Sequence, residues 1–152
     1  MQSLMKHFLY TFILIVFFQS KTIYGQNNGD VILGIWYNQE QTSKIQIVKM
    51  NNMYYGKIIW LKIPNDEKTG KPKTDHLNPN KEKQNIPLLN LTILRRFSWK
   101  GKTEYEGGLI YDPKNGKEYS CKINMTDKNT LHVRGYVGIS LLGRTAIWKK
   151  AE

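Results

Sequence analysis

The sequence predicts an all-β protein, an eight-stranded antiparallel up-and-down barrel. Three observations lead there. Beyond the first 25 residues no stretch carries a useful amphipathic helix, and short β-rich runs separated by turn residues dominate instead. One of these runs, Lys117 to Met125, alternates cleanly: Tyr119, Cys121, Ile123 and Met125 share one face, Glu118, Ser120, Lys122 and Asn124 the other. Finally, the runs number eight and each lies close in sequence to the next. A meander of that length removes its exposed edges by closing on itself. A two-sheet sandwich is the alternative that such strands also permit.

The elements read in order as follows. Val31 to Asn38 is the first strand, followed by Lys44 to Met50 and Met53 to Lys62. Asn51-Asn52 joins the second and third, and Asn tolerates the positive φ of a tight hairpin. From Ile63 to Asn85 the chain turns polar, with Pro64, Pro72, Pro79 and Gly70, and with lysines interleaved with Asp66, Glu67, Asp75 and Glu82. That mixture reads as a solvated loop inside one domain, although loops of this length are also often functional. Strands resume at Asn90 to Ser98 and Tyr105 to Tyr111. Asp112-Pro113-Lys114-Asn115-Gly116 then makes a turn, Pro fixing φ and Asn-Gly supplying positive φ. Lys117 to Met125, Thr130 to Val137 and Leu142 to Lys149 complete the set.

The N-terminus has a different character. Lys6 and His7 precede an apolar run from Phe8 to Phe18, and polar residues then lead to Ile23-Tyr24-Gly25. This is the pattern of a secretory signal peptide over residues 1–25, cut after Gly25 to leave Gln26. The run is shorter than the roughly 20 apolar residues a bilayer span requires. Residues 26–152 then form one domain, exported to the periplasm or beyond the cell. Losing Lys6 and Lys21, and no acid, takes the net charge from +11 to +9. Such an excess favours anionic partners, which for an exported protein means lipid headgroups or surface polysaccharide rather than nucleic acid. The lone cysteine, Cys121, forms no internal disulfide, and its strand places it in the core as a small apolar group.

Several segments resemble a known family. Gly34-Ile35-Trp36 is similar to the Gly-x-Trp signature of lipocalins and related barrels. Tyr55-Gly56-Lys57-Ile58-Ile59-Trp60-Leu61, Asp75-x-x-Asn78-Pro79, Pro87-Leu88-Leu89, Gly107 through Tyr119, Leu131 through Gly138 and Leu142 through Trp148 extend the likeness in order along the domain. Together they resemble the DUF2147 family of exported bacterial proteins. The resemblance implies a lipocalin-like barrel of the bacterial envelope in which Trp36 plugs one end and an Arg, Arg144 or Arg134, packs across it. Two departures stand out. Asn90 follows Pro-Leu-Leu where the family often has Gly, and Tyr105 stands where it favours Trp.

No catalytic constellation is readable: no Gly-x-Ser-x-Gly, no phosphate-cradling glycine loop, no His-Glu-x-x-His. His76 and His132 with one Cys give no zinc spacing, and no cofactor is expected. Candidate ligand contacts come from four groups. Asp75 and Asn78, with His76, lie in the long loop, which either caps a mouth of the barrel or simply satisfies its own turns. Arg134 and Arg144 either meet an anionic ligand from within or close the barrel and face solvent. Tyr54, Tyr55, Trp60, Tyr111, Tyr119 and Tyr136 line a cavity or fill the interior. Trp36 adds an aromatic wall. The expected function is non-catalytic binding of a small apolar or amphipathic ligand. The alternative is a filled barrel that meets anionic envelope surfaces through its basic exterior.

Overall fold

The computed structural model describes residues 29–151. The expected leader, 1–25, lies outside the described residues. Eight strands follow one another: β1 (Gly34–Tyr37), β2 (Ser43–Met50), β3 (Met53–Leu61), β4 (Thr92–Gly101), β5 (Glu104–Asp112), β6 (Lys117–Asp127), β7 (Thr130–Tyr136) and β8 (Arg144–Lys150). Each pairs antiparallel with the next, and β8 returns to β1, so the sheet is a closed barrel rather than a sandwich. The β1–β8 seam is short, with only Trp36↔Lys150 and Tyr37↔Lys149 in register. Two further bonds reinforce it. The Ala151 amide donates to the Ile35 carbonyl at 2.8 Å, and the Ile147 amide donates to Gln39 Oε1 at 3.0 Å.

Turn chemistry explains the tight connections. Asn51 and Asn52 sit at φ 48° and 63°, the left-handed pair that a two-residue hairpin requires. Asp112 caps its turn by accepting the Lys114 amide on Oδ1 and the Asn115 side-chain amide on Oδ2. Asn90 has φ 71°, so the residue that replaces the family's glycine adopts the conformation glycine would.

Several boundaries differ from the sequence reading, most of them by one to three residues. Val31 and Ile32 belong to a 3-10 turn, Gly29–Ile32, not to the first strand. Leu142 likewise sits in a 3-10 turn, Ser140–Leu142, ahead of β8. The fourth strand starts at Thr92 rather than Asn90. In the first two cases an apolar residue that suits a strand packs or projects from a turn instead.

The Gly29–Ile32 turn plugs one end of the barrel. Ile32, Trp36 and Tyr105 are fully buried there, beside Tyr54 and Phe97. Trp36 Nε1 donates to the Ile32 carbonyl at 2.9 Å, and the Tyr105 hydroxyl donates to the Gly29 carbonyl at 2.7 Å. Gly29 has no room for a side chain, since a Cβ would fall 2.6 Å from both Trp99 and the Tyr54 hydroxyl. Asp30 accepts from Lys49 at 2.7 Å and from Tyr54 at 2.8 Å. These bonds, Lys49 first, hold its carboxyl below the usual range. The contact is at full strength above the ordinary carboxylate pKa and fades as pH falls through the lowered one.

The alternation of β6 is as read from the sequence, with Cys121, Ile123 and Met125 all buried. Burial pushes the Cys121 thiol up to about 12. Native protein at pH 8 is therefore expected to leave a thiol reagent unreacted, and urea-unfolded protein to take up one equivalent. Fast labelling of the native state would contradict the inward placement.

Candidate functional site

Beyond the plugged end the barrel is open. A cavity of about 1040 Å³ runs inward from the mouth, at the upper end of the range typical of small-molecule sites. Its inner wall is apolar: Ile45 and Ile58, Ile93 and Ile110, Val133, Ala146 and Trp148. These residues come from six strands, β2 to β5, β7 and β8, and they point inward by the alternation of pleated sheet. Its rim is polar, carrying Asn38, Thr42, Lys73, His76, Asn115 and Arg144. The interior is thus packed in one half and hollow in the other, so a wholly filled barrel does not hold.

The long loop between β3 and β4 shapes the mouth. It is more ordered than a plain solvated loop, with bridges Asn65↔Pro72 and Thr74↔Pro87 and a 3-10 turn at Lys81–Lys83. Asp75 fastens it to the barrel. This carboxylate is 1% exposed, accepting the Tyr111 hydroxyl on Oδ1 and the Asn78 side-chain amide on Oδ2, each at 2.7 Å. Desolvation, then the bond to Asp75, pushes the Tyr111 phenol up to about 12. The loop also meets the β5–β6 turn, where a Cβ on Gly116 would come 1.9 Å from the Leu77 carbonyl oxygen. Gly116, at φ 68°, is therefore required twice over. Replacing Tyr111 by Phe leaves a buried carboxylate short of one donor, at a cost of about 1–3 kcal/mol. The Asp75 amide, bonded to the Ile86 carbonyl, should then exchange its hydrogen faster while strand amides stay protected. Unchanged exchange at Asp75 would rule out the latch.

Of the residues singled out by sequence, Tyr111, Tyr119, Tyr136 and Arg144 line the cavity. Arg144 makes no ion pair within 4.0 Å among the described residues. Asp75 and Asn78 act on the mouth through the latch. The others lie elsewhere. Trp36 is part of the plug, beneath the cavity, and the cation over its ring is Lys150, 5.2 Å from the centroid, not an arginine. Trp60 faces outward on the pleat, edge-on to Tyr37 at 6.2 Å, with Lys44 over both rings. Tyr55 also points away from the lumen, its hydroxyl 4.0 Å from Met53 Sδ. Arg134 alternates with the inward Val133 and Gly135, so its guanidinium lies outside. There it donates to the Ser140 carbonyl (2.7 Å), the Leu141 carbonyl (3.0 Å) and Thr145 Oγ1 (2.8 Å). The apolar inner wall was not singled out by sequence. Its isoleucines read as core, and only closure shows which core residues border a void.

A closed eight-stranded meander, plugged at one end and hollow at the other, defines a lipocalin-like barrel. The chain belongs to the DUF2147 family, described as uncharacterized protein conserved in bacteria, which matches residues 34–150. It is also similar to a solved structure, protein HP1028 from the human pathogen Helicobacter pylori, which belongs to the lipocalin family. The two are 26% identical with a TM-score of 0.68, over 79% of this chain and 82% of that one. No curated protein matches the chain.

Proposed function

We propose that the protein is a non-catalytic carrier that holds an amphipathic molecule in its lumen. The apolar part lies against Val133, Ala146 and Trp148, and an anionic head sits at the mouth beside Arg144. The observation that carries this reading is the cavity itself, with an apolar inner wall and a polar rim bearing an unpaired guanidinium. A planar fork of donors suits a carboxylate or phosphate. Export to the bacterial envelope is part of the proposal and rests on the character of residues 1–25.

Titration with a fluorescent apolar probe, N-phenyl-1-naphthylamine, tests it. The expected result is saturable binding of one equivalent, displaced by a long-chain carboxylic acid and weakly by the matching alcohol. No saturable binding, or displacement by neither, would sink the reading.

A further inference from the structure

The connection between β7 and β8 is unusual in what it shows to water. Val137, Ile139, Leu141 and Leu142 are 72%, 61%, 80% and 79% exposed, more than any other large apolar side chain among the described residues. A single exposed aliphatic group is ordinary, but four on one loop mark an interaction surface. The loop is also held in place rather than loose. The Arg134 guanidinium grips it through the Ser140 and Leu141 carbonyls. Gly143 lets it lie close to β7, since a Cβ there would fall 2.6 Å from the Gly135 carbonyl oxygen. A charged fork spent on loop carbonyls fixes the direction in which the leucines point.

The loop stands at the mouth. Val137, Leu142 and Arg144 also line the cavity, while the plug formed by Gly29–Ile32 lies at the far end. We propose that this loop is a membrane-docking tip, which inserts its apolar side chains into an anionic bilayer with the barrel mouth facing the lipid. A bilayer fits better than a protein partner for two reasons. Four apolar side chains on one short loop fall well short of the roughly 20–30 residues a side that a stable protein interface uses. The tip's neighbour Arg144 and the net charge, +11 for the full sequence and +9 without residues 1–25, also complement anionic headgroups. As a surface the tip stands by itself. As the route by which the lumen exchanges its ligand, it rests on the carrier reading above.

The test places an environment-sensitive nitrobenzoxadiazole dye on the full chain through Leu141→Cys, or through Lys128→Cys at the plugged end. Cys121 is buried and does not compete for the label. With phosphatidylethanolamine vesicles containing phosphatidylglycerol, the dye at position 141 should shift blue and be quenched by brominated acyl chains. The dye at position 128 should do neither. A second substitution, Leu142→Ser, should weaken vesicle partition about tenfold. Three results would overturn the proposal. One is no shift at 141. Another is an equal shift at both positions, the mark of adsorption through some other segment. The third is a shift at 141 that grows with protein concentration without vesicles, which would assign the tip to a second copy of the chain. Probe binding in vesicle-free solution reads the lumen separately, so either idea can fail while the other stands.

Discussion

Replacing Ala146 by Trp is expected to abolish uptake of an apolar ligand while the barrel stays folded. Ala146 sits on β8 opposite Val133, two residues from Trp148, with its side chain toward the hollow half of the lumen. A large side chain there meets open space before it meets packed neighbours. The usual penalty for overpacking, about 1–3 kcal/mol, should therefore be mostly avoided, while the space a ligand needs disappears. Probe affinity should drop by at least about tenfold, equivalent to roughly 1.4 kcal/mol. Ile147→Trp is the control, because Ile147 is the next residue along the strand and faces solvent. It should bind as the parent does. Equal loss in both variants would place the binding site outside the lumen.

The second large effect concerns the plug. Trp36→Ala removes a fully buried indole and its bond to the Ile32 carbonyl. Truncating a buried Trp costs about 3–5 kcal/mol, a large share of the roughly 5–15 kcal/mol that holds a domain folded. Urea unfolding should shift to markedly lower denaturant. Trp36→Phe keeps most of the apolar contact and should lose clearly less. If Trp36→Ala unfolds at the parent's midpoint, the plug is not part of the cooperative core. The lumen lies above the plug, so Trp36→Phe should bind the probe as the parent does.

The comparison of sequence with structure divides along physical lines. Strand alternation and turn chemistry are local, and the order of eight strands, the Asn51-Asn52 hairpin and the inward face of β6 were all legible. Closure was legible as the favoured way for a meander to hide its edges, and the β1–β8 pairing decides it against the sandwich that the same strands also permit. Direction around bulges was not. Trp60 reads as a wall residue from its place in an apolar strand, but the register shift at Lys44/Ile45 pairs it with Lys44 on the outer face. The arginines were ambiguous for a related reason. Adjacent parity decides between lumen and exterior, and only the register places Arg144 inside and Arg134 out. The Tyr111–Asp75 bond spans 36 positions of sequence, beyond the reach of any periodicity. The sequence did mark Asp75 and Asn78, through their turn-forming character, although their role is to anchor the loop.

The hollow lumen as an occupied site is the central claim, and a crystal structure with a long-chain carboxylic acid brominated at its methyl end tests it most directly. The expected result is anomalous bromine density against Val133 and Trp148, with the carboxylate within hydrogen-bond distance of Arg144. Bromine density outside the barrel, with the lumen left to water, would contradict it.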